Sequence, residues 1–457
     1  MGVYDRVYDA VIAGGGVSGT VAAIAAARNQ VKTLVVEQNG YLGGSLTGCG
    51  VGPMMTFHAG EKQVIKGIME EIVQRMVSRG YSPGHIKDTT RYISYLTPFH
   101  SEGLKIILDE MAAEAGCDIL FHTFIGGVKV EEGFITALTL CNKDGLNEVK
   151  GKVFIDGTGD GDVAAFAGAP ITKGRESDGA MQPMTMNMKY CNVDADALKS
   201  YIKDHKEEFP RMLHNIDLMY KTNRLSFAGF SKEFKEARDS GELNIQREEI
   251  LCFETNIPGE FIVNTTRILN HDGTDAESLS DAELIGRKQC EQLDRFLRGR
   301  IPGFENAILE FTGPNVGIRG SRQLKGKYTL TAQDILERRV FDSVIAHSAY
   351  PIDIHNPKGE GTDSHFIAMP GTYYNIPYEV MVCDEIKNLL VTGRCVSATF
   401  EAQAAIRTTP TAGALGQAAG IAAALAAKKN GDTGTVDMKE LQTELTLQNA
   451  YLDLTDL

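Results

Sequence analysis

The chain opens on a nearly unbroken apolar run. Tyr8, Ala10, Val11, Ile12 and Ala13 read as a short strand buried on both faces. The Ala-rich stretch 20–29 predicts a helix, and 31–36 predicts a second buried strand ending at Glu37. Ile65, Ile68, Met69, Ile72 and Met76 share one face of a helix over 64–79. Leu104, Ile107, Leu108 and Met111 do the same within 98–116. Four short strands follow at 118–124, 128–131, 134–141 and 151–155, with Glu132-Gly133 and Asp144-Gly145 as turns between them. This meander runs into a glycine–acid turn at 156–162 and a helix at 163–167. From 175 the pattern changes. A strand at 184–190, a polar helix at 194–208, a strand at 260–267 and an amphipathic helix at 280–298 predict an inserted α+β unit on a mixed or antiparallel sheet. The C-terminal part returns to buried elements: a strand at 388–394, a loop at 395–411 and a small-residue helix over 413–428. A polar tail with a short helix from Asp437 closes the chain.

Between the first strand and helix stands Gly14-Gly15-Gly16-Val17-Ser18-Gly19. Strand, GxGxxG, helix, strand and acid in this order define a dinucleotide-binding unit. Gly14 permits the tight turn. Gly16 lets a pyrophosphate approach the backbone, and Gly19 lets helix and strand pack closely. The helix N-terminus offers its N–H groups and dipole to phosphate. Glu37 suits the two hydroxyls of an adenosine ribose and would repel a 2′-phosphate, which argues against NADP. The loop 40–52, with six glycines, suits an extended ligand lying along it.

At 457 residues the chain is long for one compact unit, and two domains sharing a site are expected. A net charge of −14 without a basic stripe disfavours nucleic acid as a partner. The first apolar run is the strand itself, without the flanks of a signal peptide. The most apolar stretch, 411–427, is mostly Ala and Gly and reads as a buried helix, so no membrane partner is expected. Eight scattered cysteines contain no CxxC and predict reduced thiols in a cytoplasmic protein. The histidines lack ligand spacing, and no metal is assigned.

Three blocks then resemble a known family. The first is 14–44, with the glycine motif, Glu37 and Leu42-Gly43-Gly44. The second is 155–168, with Asp156-Gly157-Thr158-Gly159-Asp160. The third is 388–427, from Asn388-Leu389-Leu390-Val391 to Leu415-Gly416-Gln417. Together with Gly317-Ile318-Arg319-Gly320-Ser321-Arg322 and the run 350–357, they resemble the FAD-dependent oxidoreductases of the glutathione-reductase-type superfamily, in particular the broad bacterial subgroup of that name. The resemblance implies an α/β fold: a Rossmann-like, three-layer ββα FAD-binding domain at 1–175 and 331–430. It further implies an inserted α+β substrate or cap domain at 176–330 and a tail at 431–457. It implies FAD; no histidine or cysteine sits in a motif that compels a covalent link, and non-covalent binding is expected. Gly14, Gly16, Val17, Ser18, Gly19, Glu37 and Gln38 would serve its pyrophosphate and ribose, and Gly43, Gly44 and Ser45 its ribityl side. Gly157, Gly159 and Asp160 form the second turn. Gly393 and Arg394 would approach the pyrophosphate, and Gly413, Leu415 and Gly416 the flavin ring. The superfamily usually ends the third motif Gly-Asp; here it ends Gly393-Arg394.

In this reading the flavin exchanges hydride and the protein supplies orientation and charge. His355 is the candidate base, with Asp353 on the same strand face. Arg319, or Arg322, is the candidate carboxylate clamp. Tyr374, with Tyr373 and Tyr378, is an aromatic candidate for the pocket wall, and Asn264, Arg267 and Arg407 are further candidates. Cys49 has no partner cysteine nearby, which argues against disulfide chemistry. The expected activity is hydride transfer between flavin and a small polar alcohol, amine or hydroxy acid. The alternatives are reduction of an activated double bond and a non-catalytic electron-transfer subunit. The electron acceptor and any homo-oligomer are left open by the sequence.

Overall fold

The computed structural model describes residues 2–364 and 371–454; of the tail, 455–457 lie outside the described residues. Its central sheet runs in the order 118–120, 33–36, 7–13, 145–156, 134–142 and 124–131, and Leu389–Val391 pairs with the far end of 145–156. Val7–Ala13 is parallel to both Thr33–Val36 and the second half of Gly145–Asp156. The first half of Gly145–Asp156 pairs antiparallel with Phe134–Asn142. One twelve-residue strand therefore serves both the meander and the nucleotide-binding sheet. The sequence reading broke it because Asn147, Glu148, Lys150 and Lys152 interrupt the apolar pattern where one face meets water. Asp118–Leu120 leaves the meander and joins the sheet beside Thr33–Val36.

Alternation along the strands sorts the two faces. Ala10, Ile12 and Val35 meet the helices, whereas Val11, Ala13, Leu34 and Val36 meet Ile135, Leu138 and Leu140 of the meander. The fold is the expected α/β class, a Rossmann-like unit with helices on one face and β-structure on the other. On the helical face, Val17–Arg28 and Thr409–Ala427 lie backbone against backbone. A Cβ on Gly416 would stand 2.2 Å from Ser18 O, and one on Gly420 2.2 Å from Ala22 O. The small residues of 411–427 are thus explained by helix–helix contact.

The middle of the chain forms a second, five-stranded antiparallel sheet in the order 226–229, 250–254, 261–263, 188–191 and 308–312. Its core is aromatic: Tyr190, Phe209, Phe227, Phe230, Phe261, Phe296 and Phe304 are fully buried. Ala276–Arg300 covers it. Two elements correct the sequence reading. A helix, Phe400–Ile406, lies inside the stretch read as a loop; Thr399 caps it by accepting from Ala402 N. The last core helix starts at Thr409, four residues earlier than expected. Pro410 fits its first turn, where a missing N–H costs nothing.

Gly420→Val should lower stability by about 2–3 kcal/mol through overpacking against Ala22. Gly299→Ala, in a helix with nothing within 4 Å of the new Cβ, should leave stability equal or slightly higher. Urea midpoints compare the two.

Candidate active site

Three backbone turns meet at the C-terminal ends of the parallel strands, the usual ligand position in such sheets. Gly14 adopts φ +91° and donates its N–H to Val36 O. A Cβ on Gly14 would stand 2.6 Å from Gly157 O, and one on Gly19 1.9 Å from Gly14 O. Gly16 differs. Its φ is −62°, open to any residue, and a Cβ there would come no nearer than 3.9 Å to protein. The missing side chain keeps space clear at the N-terminus of Val17–Arg28, which has no side-chain cap.

That space belongs to a cavity of about 340 Å³. Gly16, Val17, Ser18, Gly44, Ser45, Gly157 and Gly159 line one end, together with Arg394, Thr408, Thr409 and Ala412. The N-terminus of Thr409–Ala427 also lacks a side-chain cap, so two helix N-termini open on one cavity. This cradle fits the phosphates and ring edge of a flavin dinucleotide. A larger hollow of about 800 Å³ beside Arg28, Lys66 and Glu444 has none of these turns.

Other expected cofactor residues sit outside this cavity. Glu37 is buried and accepts from Gly15 N at 2.7 Å and from Asn39 N and Nδ2 at 2.7 and 2.8 Å, so its carboxylate also braces the turn. Burial raises its pKa, opposed by these donors. Gln38 is exposed. Gly43, at φ +102°, donates to Gly15 O. Gly393 packs on Ser18, Gly413 on Met69 and Gly416 on the Ser18 backbone, while Leu415 is fully buried. Thr408, Thr409 and Ala412 occupy the cavity edge expected for Gly413, because the helix begins earlier. Arg394 lines the cavity, but its donors are engaged: Asp160 at 2.7 Å, Gly159 O at 2.7 Å and Ile318 O at 2.9 Å. It ties the second turn to the 317–322 loop, and Ser321 adds a bond to Asp160 at 2.6 Å.

The candidate catalytic residues also line this cavity or lie beside it. His355 Nε2 lies 3.3 Å from Asp353 Oδ2, and Arg407 reaches the same oxygen at 3.3 Å. Burial, and then the charge of Arg319, push the imidazole down to about 3, so it is neutral at physiological pH. Although burial opposes it, His355 and Arg407 hold the Asp353 carboxyl well below the usual range. Arg319 lines the cavity and donates to Pro183 O at 2.5 Å. Burial and the charges of Arg407 and Arg247 lower its pKa well below that of free arginine. A relay of amides fixes both residues: His355 N–H donates to Gln182 Oε1 at 3.3 Å, Gln182 Nε2 to Gln403 Oε1 at 3.2 Å, and Gln403 Nε2 to Arg319 O at 2.9 Å.

Tyr374 does not line the cavity. It is fully buried, with its hydroxyl on Ser348 Oγ at 3.1 Å and Tyr350 O at 3.0 Å. Tyr350 faces the cavity instead. Tyr373 bonds Asp453, and Tyr378 bonds Thr433 O. Arg322 pairs with Asp162 at 2.8 Å. Burial pushes the Cys49 thiol up to about 12, away from thiolate chemistry. Asn264, Arg267 and Arg407 do line the cavity. Sequence reasoning did not single out Arg247, Gln182 or Gln403; Gln403 lies within the block 388–427, but nothing in the sequence marks its side chain as part of the site.

The nucleotide-binding sheet, its glycine turns and the paired helix N-termini define an FAD-dependent oxidoreductase. The sequence matches the FAD dependent oxidoreductase family over residues 9–445, and the chain belongs to that family. No curated protein sequence matches it. Among solved structures, a geranylgeranyl bacteriochlorophyll reductase-like protein from Thermoplasma acidophilum is 15% identical with a TM-score of 0.48, over 97% of this chain and 83% of that one. The flavin-dependent brominase Bmp2 is 13% identical with a TM-score of 0.43, over 97% and 84%. The anhydrotetracycline hydroxylase OxyS from Streptomyces rimosus is 13% identical with a TM-score of 0.42, over 97% and 66%. Likenesses at this level say nothing of substrate. Among the described residues, no helix is long and apolar enough to cross a membrane.

Gly16→Val should leave the thermal midpoint of the apoprotein unchanged yet abolish FAD retention, read as visible flavin absorbance after gel filtration. Acid provides a second check. Burial and the Arg319 charge push His355 down to about 3, and burial pushes His58 and His347 down to about 4. Unfolded histidine takes up its proton near 6.5, so the unfolded chain binds more protons in between and stability falls as pH drops from about 6.5 towards 3. His355→Gln should reduce that slope by about one proton in urea midpoints measured across this window.

Proposed function

We propose that the chain exchanges a hydride between FAD and a small polar organic substrate of the alcohol, amine or hydroxy-acid type, with His355 as proton acceptor. The observation that carries this is the His355–Asp353 contact in the cavity onto which the glycine turns open. FAD, held without a covalent link in the glutathione-reductase-type arrangement, supplies the hydride acceptor. The same proposal divides the chain into an FAD-binding domain at 1–175 and 331–430, a substrate domain at 176–330 and a tail at 431–457. The separate aromatic core of the second sheet supports that division.

With Nε2 of neutral His355 facing Asp353 at 3.3 Å, the tautomer carrying its proton on Nε2 would leave Nδ1 to accept a proton. Asp353 holds the ring and stabilises the imidazolium that forms. Arg319 sets positive charge beside a developing alkoxide. Asn187 and Asn264 each hold a buried side-chain oxygen without a donor, suited to a substrate hydroxyl. Charge on a bound anion offsets Arg319 and Arg407, which raises the basicity of His355 when substrate is present.

A second reading has its own observation. The lowered pKa of Arg319 makes it a better acid than free arginine, as a proton donor in the reduction of an activated double bond requires. Anaerobic mixing with a substrate panel separates the two. His355→Ala should slow flavin bleaching at least about 100-fold, while Arg319→Ala mainly weakens substrate binding. If Arg319→Ala abolishes reoxidation of reduced flavin by alkenes and His355→Ala does not, the second reading holds.

A further inference from the structure

The cavity holds more positive charge than its own acids balance. Arg394 is paired with Asp160, and Arg211 with Glu249 at 2.7 Å. Asp353 pairs with Arg407 and lies 3.3 Å from the neutral His355 ring. The Asp88 carboxylate is taken up by the Thr90 hydroxyl and three backbone N–H groups, and Glu248 is exposed. Arg247, Arg267 and Arg319 remain. Among the described residues, no carboxylate lies within ion-pair distance of any of them; each donates only to backbone carbonyls.

These are not surface side chains. Arg247 is 8% exposed and Arg267 3%. Arg267 Nε and Arg407 Nε are buried with no acceptor. Burial and the neighbouring guanidiniums pull Arg267 down to about 10 and lower Arg247 and Arg319. Uncompensated buried charges cost stability unless a partner of opposite sign arrives. These three and the Asp353-paired Arg407 come from separate segments: the loop before Ile250–Glu254, the segment after Phe261–Val263, the 317–322 loop and the C-cap of Phe400–Ile406. Such a spread suits an anion with separated charges better than one compact tetrahedral group. The planar guanidinium fork matches a carboxylate.

We propose that the substrate carries at least two carboxylates, which pair with Arg247, Arg267, Arg319 and Arg407 in this cavity. The proposal rests on the hydride-transfer reading for the word substrate, but the binding it asserts does not. Succinate would neutralise two of the uncompensated charges; butyrate, of equal chain length, would neutralise one.

The test is binding to the oxidised holoenzyme without turnover, read as perturbation of the flavin spectrum. Malonate, succinate and glutarate are compared with butyrate and inorganic phosphate. At least one dicarboxylate should bind ten-fold or more tightly than butyrate, about 1.4 kcal/mol. Arg247→Met should raise the thermal midpoint of the protein without added ligand, since it removes a buried uncompensated charge, and should weaken the dicarboxylate at least ten-fold. Arg267→Gln, which keeps a donor for the carbonyls of Asn356 and Gly361, should weaken it as well. Equal binding of butyrate, phosphate as tight as every dicarboxylate, or undiminished binding in both variants overturns the proposal. Because binding is read without turnover, flavin that no substrate reduces would count against hydride transfer and leave this result standing.

Discussion

Backbone meeting backbone without side chains between is the constraint on which this structure depends. Gly14 lies against Gly157, Gly19 against Gly14, and Gly416 and Gly420 against Ser18 and Ala22. Each contact leaves no room for a Cβ. Together they bring the first strand, the end of the long meander strand and the helices 17–28 and 409–427 to one point. Two helix N-termini therefore open on one cavity, although almost 400 residues separate them in the chain. Gly16 alone in this group has space beside it. The glycines thus divide into those that make the cradle and the one that leaves it open.

Charge sets the chemistry at the other end. The site gathers arginines from separate segments of the chain around His355 and Asp353. Their mutual repulsion and burial hold His355 neutral and depress Arg319. In the proposed function the same field would anchor an anion and set the basicity of His355, so that anion binding and activation of the base would be one event. The amide relay through Gln182 and Gln403 ties the backbone N–H of His355 to the backbone carbonyl of Arg319.

Much of the glycine cradle was legible in the sequence, and the reason is physical. Close approach requires glycine at fixed spacing, and fixed spacing survives as a motif. The α/β class and the family were legible for the same reason. The substrate end was legible only in part. His355 and Arg319 stood out because their segments are framed by proline or glycine. Arg247 stands in an ordinary charged stretch, and only the packing of the second sheet brings it inward. Tyr374 was misplaced because strand alternation cannot say which of two buried faces meets a cavity. Arg394, suited by charge to phosphate, is held by Asp160, a partner 234 positions away that no local pattern reveals.

The central claim is hydride transfer from a substrate carbon, with the proton taken by His355. Anaerobic rapid mixing with a hydroxy dicarboxylate that bleaches the flavin, protiated or deuterated at the carbon bearing the hydroxyl, tests it most directly. The account predicts slower bleaching with the deuterated substrate, and the same isotope sensitivity in a His355→Ala variant that bleaches far more slowly overall. Bleaching at the same rate with both isotopes, in an enzyme whose rate is unaffected by His355→Ala, would contradict it.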